Sequence, residues 1–413
     1  MTLAKNIKIN QERLWESLMA MAKIGATAKG GSKRLALTDL DKEGRDLFVK
    51  WCKEAGCAVS IDRMGNIFAR RPGRRNDLPP VVTGSHLDTQ PTGGKFDGVY
   101  GVLAGLEVIR TLNDLGYETD APIEVSVWTN EEGSRFAPAM TASGVFAGVF
   151  TEEYGLSRAD LDGKTIGEEL ARIGYRGEVP CGGRRFKAFF EAHIEQGPIL
   201  EAENKTIGVV TGIQGIRWFE CTIAGNESHA GTTPMAMRRD ALLGASRIVD
   251  RLNGIALAHA PDAVATTGLL QVHPNSRNVI PGSVFFAVDL RHPDDAVLAE
   301  MAKELFATVD AVTAELMLTH DLHEIWHNPP VPFDRACVDS VRRAAEEAGY
   351  PYREIISGAG HDAGNIAKVA PTAMIFVPCA GGISHNEAES AKPEDLAAGC
   401  NVLLRAVLAH ASS

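Results

Sequence analysis

The chain has 413 residues, 45% of them hydrophobic and 23% charged, and carries a formal net charge of −11. Its length exceeds what one hydrophobic core usually fills, so two domains are expected, and its ordinary composition excludes a disordered or fibrous protein. The acid excess is spread along the chain and argues against nucleic acid or a membrane surface as partner; the short basic run at Arg70, Arg71, Arg74 and Arg75 reads as a solvated turn.

Seven cysteines with no C-x-x-C pair suit buried free thiols in a reducing compartment. The opening MTLAKNIKINQERLW has no apolar core of signal-peptide length, and no window is apolar over the roughly 18 residues a membrane span needs. A cytoplasmic location is expected.

In chain order, 11–21 and 40–52 have helical spacing, the second with Thr38 as N-cap and Asp41 three residues on. Residues 58–62 and 67–69 flank Met64-Gly65-Asn66 and form a hairpin. The stretch VVTGSHLDTQPTGGKFDGVYG, 81–101, then organises the fold. It begins as a buried strand on which His86 and Asp88 share a side, and its Gly-rich turn sets Asp97 at the mouth of a helix over 98–112. An open α/β sheet usually holds its ligand beyond the carboxyl ends of its strands, and imidazole with carboxylates suits zinc, manganese, nickel or cobalt. On this short motif alone, a metal site and a packed strand end with a helix cap stand level.

A strand over 123–128 ends in Thr129-Asn130-Glu131-Glu132, two carboxylates that are costly to bury without a cation. Residues 160–183 read as a polar insertion with a helix near 166–173, and the apolar run 186–193 delivers His193, Glu195 and Gln196 to its end. From 215 the order changes to βαββαβ: strand 216–224, helix 238–252, strands 265–272 and 284–290, helix 296–309 and strand 314–320, a ferredoxin-like plait. After Asn328-Pro329-Pro330 the α/β alternation resumes with helix 337–348, strand 353–356, helix 361–369, strand 372–377 and helix 393–410. The expected architecture is an α/β catalytic domain with a mixed, largely parallel sheet and helices on both faces, formed by 1–213 and 329–413. A plait domain is inserted over 214–328. His86, Asp97, Glu132, His193 and His385 all fall at strand ends or in the loops after them, which makes one shared metal site the common explanation.

The motifs GSHLDTQPTGGKFDG, TNEEGSRF, HIEQGPIL, HAGTTPM, NSRNVIPG, DLRHP, GAGHDA and GGISHNEAE together resemble the dinuclear metallo-amidohydrolases. That family includes aminoacylases, glutamate-releasing carboxypeptidases and N-carbamoyl-amino-acid hydrolases, and the resemblance spans essentially the full chain. His193 stands where the peptidase members carry an Asp or Glu, which looks like the branch of carbamoylases, β-ureidopropionases and allantoate amidohydrolases. The resemblance implies two divalent ions, zinc or else manganese, cobalt or nickel. Asp97 would bridge them, with His86 and His193 on one and Glu132 and His385 on the other. It further implies Asp88 as the partner fixing the His86 tautomer and Glu131 as general base. His229 would be an oxyanion donor lent to the partner subunit from a lid and dimerisation domain, and Gln196, Asn278, Arg291 and Gly360 would be substrate contacts, Arg291 for a carboxylate. The expected activity is hydrolysis of N-carbamoyl-L-amino acids to amino acid, ammonia and carbon dioxide by a homodimer. Allantoate amidohydrolase and β-ureidopropionase are alternatives, and a metallo-carboxypeptidase or dipeptidase is a more distant one.

Overall fold

Four strands, Ile123–Trp128, Val81–His86, Ala188–Ile194 and Thr372–Val377, lie parallel in that order and form the middle of the sheet. Every residue of all four is buried, polar ones such as Ser85, Glu124, Ser126 and Glu191 included, so burial runs continuously along them instead of alternating, as expected of parallel strands covered on both faces. The covering is visible at Ala188–Ile194. Phe190 packs edge-on against His410 of the helix Pro393–Ala411, while the next residue, Glu191, accepts the Ala363 N–H at the start of Asp362–Ile366 on the other face. Antiparallel strands close both sides: Ile67–Arg71 and Ala58–Ile61 beyond Ile123–Trp128, and Ile207–Ile213 beyond Thr372–Val377. The sheet is thus mixed and largely parallel, as read from the sequence.

This computed structural model describes residues 7–412; the expected lack of a signal-peptide core rests partly on residues outside that range. The chain divides into two units, one from the amino terminus to Thr211 together with Phe333 onward, the other Gly212–Pro332. No helix among the described residues is long and apolar enough to cross a membrane.

Local signals acted as expected in the first unit. Thr38 accepts the Asp41 N–H at 3.3 Å and starts the helix Asp39–Glu54, while Asp41 reaches back to the Leu37 N–H at 2.8 Å. The same carboxylate takes the Arg45 Nε–H at 2.8 Å, a pair with both side chains wholly buried.

In the second unit the strands run Thr319–Asn328, Gly215–Ala224, Ser283–His292, Val264–His273, all antiparallel, with the helices Ala241–Ala258 and Asp295–Glu315 between them in sequence: the βαββαβ plait order. Phe219, Ile223, Phe286, Val288, Ile248 and Leu305 are among the residues of its own core. The last helix and strand differ from expectation. Residues 314–320 have apolar positions at 314, 316 and 318 that mimic a strand, yet the helix continues to Glu315 and the strand starts at Thr319. The helical stripe Leu305, Val309, Val312, Thr313 is already buried, so one more turn extends existing packing. The expected helix 361–369 is helical only over Asp362–Ile366.

Candidate metal centre

The site is built where the four parallel strands end. Val81–His86 finishes on His86, and the ring must lie against the turn that carries Asp97. Gly98, with φ 68°, permits this: a Cβ there would fall 2.3 Å from the imidazole. The strand Ile123–Trp128 exits through Thr129 and Asn130, whose φ of 57° turns the chain so that Glu131 and Glu132 follow. Asn130 Nδ2 donates to Phe136 O at 2.8 Å and Thr141 Oγ1 at 2.9 Å and holds that turn, a conformation Asn tolerates better than most residues. Ala188–Ile194 supplies His193, and the loop after Thr372–Val377 supplies His385.

Three groups of possible ligands result among the described residues, each with its ligand atoms within 4.8 Å of one another: Glu191–His193–His361, and the two that share Asp97, His86–Asp97–His193 and Asp97–Glu132–His385. Asp97 belongs to both through different oxygens. Its Oδ1 lies 3.6 Å from His86 Nε2 and 3.2 Å from His193 Nε2, and its Oδ2 lies 3.4 Å from His385 Nε2. Glu132 Oε2 is 3.4 Å from His385 Nε2, and Glu131 Oε2 is 3.4 Å from His86 Nε2. The five residues expected as ligands, with Glu131, are therefore together in the first unit.

Several observations test whether divalent ions fit this donor set. His86 Nδ1 and His193 Nδ1 each lie 2.9 Å from a main-chain carbonyl, of Asp88 and Ile194, which only accepts a hydrogen bond. Both Nδ1 atoms therefore carry a proton, which leaves Nε2 of each ring as the atom that can turn to a metal; His193 Nε2 accepts the Gly98 N–H at 3.1 Å. The charge balance agrees. Among the described residues, the ion-pair partners of Asp97, Glu131 and Glu132 are all histidines. Burial, with repulsion from Asp97 next, pushes Glu132 up to about 8. Burial likewise raises Glu131 well above the usual carboxylate range, opposed by His86 and reinforced by Asp362, Glu132 and Asp88. Carboxylates crowded in this way hold protons unless cations replace them, so the donor set, its tautomers and its excess negative charge all suit divalent metal.

Asp88 acts differently in detail from its expected role. Its main-chain carbonyl, not its carboxylate, fixes the His86 tautomer. The carboxylate accepts the N–H groups of Glu131 at 3.3 Å and Glu132 at 3.2 Å and so aims the acidic pair. Gln196, expected as a substrate contact, donates from Nε2 to Asp97 Oδ2 at 2.8 Å. Gly360 lies in the loop before Asp362–Ile366, where a Cβ would meet Met140 Cε at 2.9 Å.

His229, Asn278 and Arg291 belong to the second unit. His229 is exposed, on a two-residue strand paired with Val279–Ile280. Its Nδ1 accepts the N–H groups of Gly231 at 3.0 Å and Thr232 at 3.2 Å, so the hydrogen is on Nε2, the tautomer an oxyanion donor needs. The Asn278 carbonyl accepts the Ala230 N–H at 2.9 Å and joins the two loops. Arg291 forks onto Asp289, with Nη2 2.8 Å from Oδ2, so a substrate carboxylate would share or replace that partner.

Residues that motif reading did not single out complete the surroundings. Gln90 Nε2 donates to Glu132 Oε2 at 2.7 Å. Glu191 accepts Ser85 Oγ–H at 2.6 Å and ties the strand Val81–His86 to Ala363. The signal for Glu191 was present: an acid inside the apolar run AFFEAHI is costly unless it has work to do.

The fold and site define a metal-dependent hydrolase, and the chain belongs to Peptidase family M20/M25/M40, whose model matches residues 82–409. It is 54% identical over 404 residues to an N-carbamoyl-L-amino-acid amidohydrolase of Rhizobium meliloti, covering 98% of this chain and 97% of that one. It is 36% identical to an allantoate amidohydrolase of Bacillus subtilis, covering 93% of each. A crystal structure of an amidase of the hydantoinase/carbamoylase family from Burkholderia multivorans superposes with a TM-score of 0.97 at 68% identity, covering 98% of this chain and 99% of that one.

Proposed function

We propose that the chain is a dinuclear metal-dependent amidohydrolase that converts N-carbamoyl-L-amino acids to the free amino acid, ammonia and carbon dioxide. The observation that carries this reading is the division of Asp97 between two ligand groups, with Glu131 beside one and its neighbour Glu132 in the other. The naming of a relative at 54% identity supports the ureido substrate.

His86, Asp97 and His193 would hold one divalent ion and Asp97, Glu132 and His385 the other. Such a pair supplies a water of lowered pKa and polarises the carbonyl under attack. Glu131, buried and with its Oε2 3.4 Å from His86 Nε2, accepts the attacking water's proton and returns it to the departing nitrogen. The C–N bond to the amino acid breaks, and the carbamate released falls apart to ammonia and carbon dioxide. His229 Nε2–H donates to the developing oxyanion, and Arg291 reads the substrate carboxylate. The enzyme works as a homodimer through its plait domains, each lending His229 to the other subunit. Its seven cysteines are all free thiols, which supports a cytoplasmic setting.

A coupled ammonia assay on N-carbamoyl-L-methionine, N-carbamoyl-β-alanine and allantoate, side by side, tests the substrate. The expected result is the highest kcat/KM on the α-amino-acid derivative; a preference for allantoate would move the protein to the other branch of its family.

A further inference from the structure

The loop over 381–390 is exposed or half-exposed at every residue but one, and the buried one is an acid, Glu389, 4% exposed. A carboxylate is an expensive group to bury in a loop, so its partners indicate its work. Glu389 Oε1 accepts the main-chain N–H of Phe96 at 2.8 Å and of Asp97 at 3.2 Å. Its Oε2 lies 3.2 Å from Ser384 Oγ, and the Ser384 hydroxyl donates to Asp97 Oδ2 at 2.8 Å. The turn on the Asp97 side is cut to receive it, since a Cβ on Gly94 would fall 2.0 Å from Glu389 Cδ. One side chain thus grips the main chain at Asp97 and, through Ser384, the Asp97 carboxylate, from the segment that carries His385 at a φ of 53°.

The structure assigns to Glu389 the role of a positioning residue that sets Asp97 Oδ2 and His385 in register and so preforms the second metal group. The inference rests on the dinuclear reading above. The two groups differ in how much help they need. His86 and His193 are buried at strand ends and held by carbonyls. The side chain of His385 is 51% exposed, on a loop. The Glu389 clamp therefore matters most to the ion shared by Asp97, Glu132 and His385. Outer partners of metal ligands are typically worth about 10–100-fold in affinity.

The test uses the full-length protein, stripped with a chelator and titrated with cobalt(II), reading both binding steps from visible absorption and competition with a chromophoric chelator. Wild type is expected to bind two ions. Glu389→Ala should keep the tighter step and weaken the other about 10–100-fold, with altered absorption for that ion only and an unchanged unfolding temperature of the stripped protein. Glu389→Gln should restore most of the loss. Its amide oxygen still accepts both N–H groups, and its NH₂ donates to Ser384 Oγ, which keeps the serine hydrogen for Asp97. Ser384→Ala, a smaller change should Glu389→Ala fold poorly, is expected to weaken the same step alone. Unchanged second-ion affinity in both the Ala variants would overturn the assignment. So would equal loss of both ions, or a Gln variant as impaired as the Ala variant, which would mean that charge and not position matters. Binding of a single ion by wild type would instead remove the dinuclear reading, and this inference with it, before any variant is compared.

Discussion

The two units solve different problems with their strands. In Val81–His86 all six residues are buried, while in Ser283–His292 burial alternates residue by residue. The first pattern belongs to a parallel sheet covered on both faces, the second to an antiparallel sheet covered on one. The chemistry divides along the same line. Asp97 and Glu131 are 4% and 7% exposed in the turns that follow covered strands, whereas His229, on a two-residue strand, and Asn278 are exposed in the second unit. The groups proposed to hold metal sit in the first unit, buried apart from His385, whereas His229, proposed to meet substrate, remains in water until substrate arrives.

Metal removal gives the largest effect expected from this contrast. Dialysis against a chelator should abolish turnover, and manganese, cobalt, nickel or zinc should restore it; full activity in metal-free protein, verified by elemental analysis, would break the contrast at its root. Next is the acidic pair. Glu131→Gln should retain both ions while kcat falls by about 10²–10⁴ or more, whereas Glu132→Gln should lose ion occupancy. The reverse pattern would exchange their roles.

For the plait, His229→Ala should lower kcat by about 10²–10³, the usual cost of an oxyanion donor. If His229 serves the opposite subunit, mixing His229→Ala with Glu131→Gln and allowing subunits to exchange should recover about a quarter of wild-type activity, because half the dimers are mixed and each has one complete site. A mixture that exchanges but stays inactive would put His229 in its own chain's site or in none. Arg291→Lys should reduce kcat/KM by about tenfold, since a point charge does not reproduce the planar fork. Equal activity of wild type and Arg291→Ala on a carboxylate substrate would leave Arg291 a structural role only.

The smallest effect is on stability. Glu132, at about 8 in the folded metal-free protein, and Glu131, raised well above its usual range, keep protons that the unfolded chain releases near 4.5. Stability of stripped protein therefore falls as pH rises through that interval, whereas bound ions take the protons' place. Melting temperatures measured between about pH 5.5 and about pH 8.5 should drop for stripped protein by about 2–4 °C per kcal/mol lost and stay flatter for loaded protein. A parallel decline in both would show that these acids are already neutralised by their neighbours.

Much of this was legible in the chain itself. Short, mainly apolar runs named the four central strands, because burial on both faces leaves few polar positions. Thr38 and Asp41 named a helix start, because a cap is a bond between near neighbours. The metal ligands were legible because each stands at the end of such a run or in the loop that follows it. What the sequence did not carry was which atom of a residue acts and which distant segment holds it. Asp88 works on His86 through its carbonyl and on Glu131 and Glu132 through its carboxylate. Glu389 meets Phe96 and Asp97 across 293 and 292 positions. Residues 314–320 satisfied a strand period, yet 314–315 ended a helix and the strand began only at Thr319, because the stripe already packed on the plait sheet outweighed local alternation. Periodicity and capping are local and so are written in the sequence. The choice of hydrogen-bond partner among buried polar groups is made only when tertiary packing removes water and requires each group to find a partner.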